Sequence, residues 1–160
     1  MRRLHFQWQL PEDLELPNGL TDLFGGGFTL SLADLPRLET ERRGWLEVFS
    51  DPTSAYDAVW HETMPLMEGM DGDFYALDLS RPDGGIRYLS HDDGRGHGYR
   101  VGADIADLLR RWSALGCPGP EDQQWMPFTA GPESAIQPDR PLQDRWRSVL
   151  GLSREDLRSG

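Results

Sequence analysis

The sequence predicts a single α+β domain, a central mostly antiparallel sheet flanked by helices, and three observations carry that prediction. Between Glu62 and Val101, short runs of aromatic and aliphatic residues are separated by Gly69-Met70-Asp71-Gly72, Arg81-Pro82-Asp83-Gly84 and Asp92-Asp93-Gly94-Arg95-Gly96. Turn punctuation at that spacing is the signature of an antiparallel meander. Directly after it, Ile105, Leu108, Leu109, Trp112 and Leu115 fall at i, i+3, i+4, i+7 and i+10, a continuous apolar stripe on one helix. The length of 160 residues fits one hydrophobic core, on a prior of ~100 to 200 residues per domain.

Taken in order, Leu4, Phe6, Trp8 and Leu10 alternate with His5, Gln7 and Gln9, the period of a strand with one buried face. Pro11 to Gly27 is rich in turn residues and leaves room for one short helical turn near Leu20 to Phe24. Residues 1–27 are therefore a strand and turn-rich segment preceding the main unit. Phe28 to Leu32 suits a short strand, and Asp34 to Trp45 suits a helix with Leu35, Leu38 and Trp45 inward and Arg37, Glu39, Glu41 and Arg42 outward. Asp51-Pro52 reads as an N-cap followed by proline at the first helical position, with Tyr56, Val59 and Trp60 at helical spacing behind it.

In the meander, Tyr75, Leu77 and Leu79 share one face and Phe74, Ala76 and Asp78 the other, while Ile86, Tyr88 and Ser90 alternate with Arg87, Leu89 and His91. Apolar groups on both faces predict that a helix covers one of them. The stripe helix is the candidate: acids stand near its start, arginines near its end, and Gly116 and Pro118 stop it. Leu109→Asp is expected to be among the most damaging changes. Residues 117–160 form a proline-rich arm anchored by Trp125, Met126 and Phe128, then a short helix centred on Trp146 and a last turn at Ser153 to Asp156, packed on the same domain.

Charge excludes several functions. Twenty-seven acids face 16 cations, all of them arginine, for a formal net charge of −11. That excess disfavours binding nucleic acid or anionic lipid through a broad basic face and leaves cationic proteins or ligands as the favoured partners. Cys117 is the one cysteine, which excludes an intrachain disulfide and points to a reducing, cytoplasmic setting. Its place before proline at a helix end lacks anything that would make a reactive thiolate. The first residues lack an apolar signal core.

The most chemical segment is His91-Asp92-Asp93-Gly94-Arg95-Gly96-His97. Histidine and aspartate are divalent-metal ligands, and a metal-dependent hydrolase using His91, Asp92 and His97 is the competing functional reading. The same aspartates and glycines are what a tight hairpin loop needs. Asp71-Gly72-Asp73 lacks the continuing ligands of a calcium loop, because Phe74 to Leu77 follow. Gly25-Gly26-Gly27 has no lysine to complete a phosphate-binding loop. No cofactor or metal is expected. Of the six tryptophans, Trp60, Trp112 and Trp146 suit the core, while Trp45 and Trp125 flank turns and are candidate interface anchors.

Trp60, Pro65, Gly72-Asp73 before the run Phe74 to Leu79 with Asp78 near its end, then Gly85, then His91-Asp92, and last the helix from Ala103 to Leu109, together resemble the SUKH superfamily. That is the Smi/Knr family of cell-wall-assembly regulators and bacterial toxin-immunity proteins. The likeness covers the middle third closely and Phe28 to Leu46 loosely, and residues 28–116 are the Smi/Knr-like core. It implies a non-enzymatic domain that works by binding protein, either an immunity protein neutralising a cognate toxin or an intracellular regulator without one. A basic toxin domain would be drawn to this acidic chain. Asp71, Asp73, Asp83, Asp92 and Asp93, with Trp45 and Trp125, are the candidate contacts.

Overall fold

The computed structural model describes residues 4–7, 20, 23, 25, 27–92, 94–137 and 141–151. Two strands, β1 (Leu4–Gln7) and β2 (Gly27–Leu30), pair antiparallel with Leu4 opposite Leu30. The expected continuation of β1 through Trp8 and Leu10, most of the Pro11 to Gly27 segment and the last turn at Ser153 to Asp156 lie outside the described residues.

Helix α1 (Leu35–Val48) opens with Pro36 and buries Leu38. One expectation is overturned here: Arg42 points inward, not to solvent. Its guanidinium grips Glu39 at 2.8 and 2.9 Å and donates to the Trp60 carbonyl. A buried cation is tolerable when each donor is matched, and Glu39 supplies the matching charge, its own carboxyl drawn down to about 2 by Arg42. Helix α2 (Ala55–His61) begins later than expected. Ser54 is its N-cap, while Asp51 folds back to accept from the Thr53 amide and hydroxyl at 2.9 and 2.6 Å. The local aspartate turn wins over the cap because Asp51 needs no helix to satisfy it.

Strands β3 (Thr63–Glu68), β4 (Phe74–Asp78), β5 (Ile86–Leu89) and β6 (Arg100–Gly102) make an antiparallel sheet in sequential order. With five helices among the described residues, the α+β class is as the sequence predicts. Tyr75 lies opposite Tyr88 and Phe74 opposite Leu89, so each face is continuous across strands. Both faces are covered, where one was expected to be. Phe74, Ala76 and Leu89 pack with Trp60 and Leu38 beneath α1 and α2. Tyr75, Ile86, Tyr88 and Val101 pack with Leu108, Trp112 and Leu115, three members of the predicted stripe.

That stripe sits on helix α3 (Ile105–Ala114), capped by Asp104, which accepts from the Asp107 amide at 2.7 Å. Gly116 ends it as expected, with φ at +68° and the Gly116 and Cys117 amides donating hydrogen bonds to the Ser113 and Trp112 carbonyls. The arm carries a single turn α4 (Asp122–Trp125), a 3₁₀ turn (Met126–Phe128) and helix α5 (Pro141–Val149). Trp125, Phe128 and Trp146 are fully buried. The arm also covers the free edge of β6, where Arg100 N donates to Pro132 O at 2.7 Å and Ile136 N to Val101 O at 3.3 Å.

Leu108 and Trp112 are fully buried, whereas Leu109 is only partly covered. Leu108→Ala should therefore cost ~2 to 5 kcal/mol and Trp112→Ala ~3 to 5 kcal/mol in urea unfolding, and Leu109→Ala less than either.

Candidate functional site

In an antiparallel meander alternate turns fall at opposite ends of the sheet. The β3–β4 turn (69–73) and the β5–β6 loop (90–99) therefore share one end, and the β4–β5 turn (79–85) occupies the other. Asp71 and Asp92 lie together at the first end. Asp83, though exposed and 3.4 Å from Arg81, is at the far end and cannot join them in one contact. Asp93 falls outside the described residues.

The β3–β4 turn closes through Gly69 N to Asp73 O at 2.8 Å and Asp73 N to Asp71 Oδ1 at 3.1 Å. It passes through Gly72 at a φ of +97°, a conformation that suits glycine. Asp73 is not a surface contact, as the sequence had suggested. It is 3% exposed and accepts three hydrogen bonds: the Tyr88 hydroxyl at 2.6 Å, the His91 amide at 3.0 Å and His91 Nδ1 at 2.7 Å. Burial still holds its carboxyl above the ordinary range, with the Tyr88 and His91 donors opposing. Its role is to lock the two loops together. Trp125 is corrected likewise: its ring is 0% exposed and packs edge-on to Tyr88 at 5.1 Å, so it anchors the arm and not a partner. Trp45 is half-buried, its ring 4.7 Å from that of His91.

Of the residues in the family-like pattern, Trp60, Pro65 and Asp78 are buried and Gly72 and Gly85 take positive φ. Asp78 holds the Ser80 amide and hydroxyl at 2.9 and 2.6 Å and Arg87 Nε at 3.0 Å. These are structural roles.

Two acids from the arm complete the end, and the motif reading missed both. Glu121 Oε1 accepts the Met70 amide at 3.0 Å, and Asp122 Oδ2 accepts the Gly96 amide at 2.9 Å. A side chain at Gly96 would meet Asp122 and Trp125 at 2.7 and 2.8 Å, so glycine is what lets the loop approach α4. The one sequence signal for this corner is Glu121 with Gln124 three residues on, whose side-chain oxygen accepts the Glu121 amide at 3.0 Å. Burial, together with a hydrogen bond to Asp71, pushes the Glu121 carboxyl up to about 8.

The His91, Asp92 and His97 group does not converge on a metal. His97 uses both ring nitrogens, with Ser90 N at 3.0 Å from Nδ1 and Tyr56 O at 3.0 Å from Nε2. His91 Nδ1 is held by Asp73, and Asp92 Oδ1 takes the Ser90 hydroxyl at 2.6 Å. Among the described residues, the three carboxylates of Asp71, Asp73 and Glu121 do approach within 4.8 Å of one another. Both Asp73 oxygens are already engaged, and the Glu121–Asp71 hydrogen bond is one that a shared proton makes. Cys117 is buried, which pushes its thiol up to about 12, far from a reactive thiolate.

Asp73→Ala would leave the buried Tyr88 hydroxyl only its 3.5 Å contact to Glu121 Oε2 and unpair the His91 amide, and should cost on the order of 3 kcal/mol in urea unfolding. Glu121 holds its proton more tightly when folded, so wild-type stability falls as pH rises from about 4.5 through about 8. Glu121→Gln should remove that slope, its advantage over wild type growing between about pH 5 and about pH 9 in chemical denaturation. No family model, no curated protein and no solved structure matches this chain.

Proposed function

We propose that the chain is a non-enzymatic protein-binding module, an immunity protein of a bacterial toxin system that docks on and neutralises a basic toxin domain in the cytoplasm. One observation supports it above the rest. Among the described residues, the segments that meet at one end of the sheet, 69–73, 90–92 with 94–97, and 121–125, present Asp71, Asp92 and Asp122 against a single arginine, Arg95, while Asp73 lies buried beneath them and Glu121 shares a proton with Asp71. Acids gathered on one end give a directional field that steers a cationic partner and raises its association rate.

The end is also preorganised. Backbone amides at Met70 and Gly96 are tied to Glu121 and Asp122, so little loop entropy remains to be lost on docking. Met70, 73% exposed at the tip of the β3–β4 turn, offers an apolar centre within the acidic rim. The resemblance of the Trp60 to Leu109 pattern to SUKH immunity proteins points the same way. No helix of the described residues is long and apolar enough to cross a membrane.

Co-expression with the toxin encoded beside this gene should restore growth. Asp71→Arg and Asp92→Arg should each slow association about tenfold at low ionic strength, the loss shrinking as salt rises. Asp83→Arg, at the far end, should leave association unchanged. Binding without protection would indicate the regulatory member of the same family type, and failure to bind or protect against any neighbour's product would sink the reading.

A further inference from the structure

We propose that His97 is an acid-sensitive pin of the docking loop: it holds residues 90–98 against α2 only while its ring carries one proton, and a second ring proton releases the loop and Asp92 with it. The consequence for docking rests on the function proposed above, whereas the pin itself does not.

The tautomer follows from the neighbours. Ser90 N–H, a donor, lies 3.0 Å from Nδ1, and the Tyr56 carbonyl, an acceptor, lies 3.0 Å from Nε2. Nδ1 therefore keeps a lone pair and Nε2 carries the hydrogen. An imidazolium has N–H on both nitrogens, and its Nδ1–H would face the Ser90 N–H, donor against donor. Stacking restrains the ring's reorientation. The ring lies on Tyr56 with centroids 3.7 Å apart and planes within 16°, and Trp60 lies 6.0 Å off.

Release at this point reaches the acidic edge, because the loop hangs from Ser90. Its carbonyl takes the Tyr56 hydroxyl at 2.6 Å, while its own hydroxyl accepts Gly94 N at 3.0 Å and donates to Asp92. Two carboxylates act on the ring, Asp57 on α2 and Asp73 just before β4; Asp122 on α4 holds the neighbouring Gly96 amide, and Asp92 and Arg95 lie within the loop itself. Asp73 and Asp57 favour the charged ring, but burial outweighs them and lowers its affinity for a second proton. A group depressed in the closed state stabilises that state above its open value and loses the contribution as pH falls. Opening should therefore increase as pH falls below about 6.5 and level off below the closed-state value.

The test uses the free, full chain, so the absence of any toxin partner does not bear on it. Side-chain ¹⁵N NMR should show the Nε2–H tautomer at neutral pH and a titration midpoint below 6.5. Amide exchange at Ser90, Gly94 and Gly98, corrected for intrinsic rate, should accelerate over the same range and lose that dependence in His97→Gln. An Nδ1–H tautomer, a midpoint at or above 6.5, or acid-dependent opening that persists in His97→Gln would each overturn the proposal. Should His97→Gln not fold, the wild-type tautomer and midpoint decide alone.

Discussion

Both faces of β4 and β5 must be buried, and the rest of the chain is arranged to satisfy that demand. Phe74, Ala76 and Leu89 point to one side and Tyr75, Ile86 and Tyr88 to the other. Neither surface tolerates water, since each fully buried aromatic or aliphatic side chain contributes ~1.5 to 3 kcal/mol when removed from it. Helices α1 and α2 take the first face, and α3 with the arm takes the second. What is left uncovered is an end of the sheet, where turns and the start of α4 converge, and that is where the acids collect.

At that end the organising contact is polar. Asp73 joins β4 to β5 through Tyr88 and to the 90–97 loop through His91, while Glu121 and Asp122 fasten the arm to the two turns. Burying a carboxylate is costly unless its oxygens are matched, and Asp73 has three donors on two oxygens. The acidic end is thus divided by depth. Asp73 sets the geometry from below, and Asp71 and Asp92 face solvent above it.

Much of this was legible in the sequence wherever a period or a turn dictated it. The four strands of the meander, the face on which Tyr75 and Tyr88 would lie, the α3 stripe and its stop at Gly116 all follow from local pattern. Long-range pairings were illegible. Arg42 looks like a solvent-facing residue because nothing nearby in sequence announces the Trp60 carbonyl it satisfies. Asp73 and Asp71 are both turn aspartates in the sequence, and only the register of β4 against β5 decides that one is buried under Tyr88. Trp125 reads as exposed beside prolines, yet the arm turns back and seats it against Tyr88 and Tyr99. Glu121 and Asp122 were missed because their partners, Met70 and Gly96, are 51 and 26 residues away.

The arm's cover over β6 bears on how this domain can meet other chains. Arg100 and Val101 already spend backbone groups on Pro132 and Ile136, so that margin offers no template on which a foreign strand could add itself. Recognition from this side cannot proceed by extending the sheet and is left to side chains. A crowded population of such domains is correspondingly protected from stacking β6 on β6, one route by which antiparallel sheets turn into fibrils.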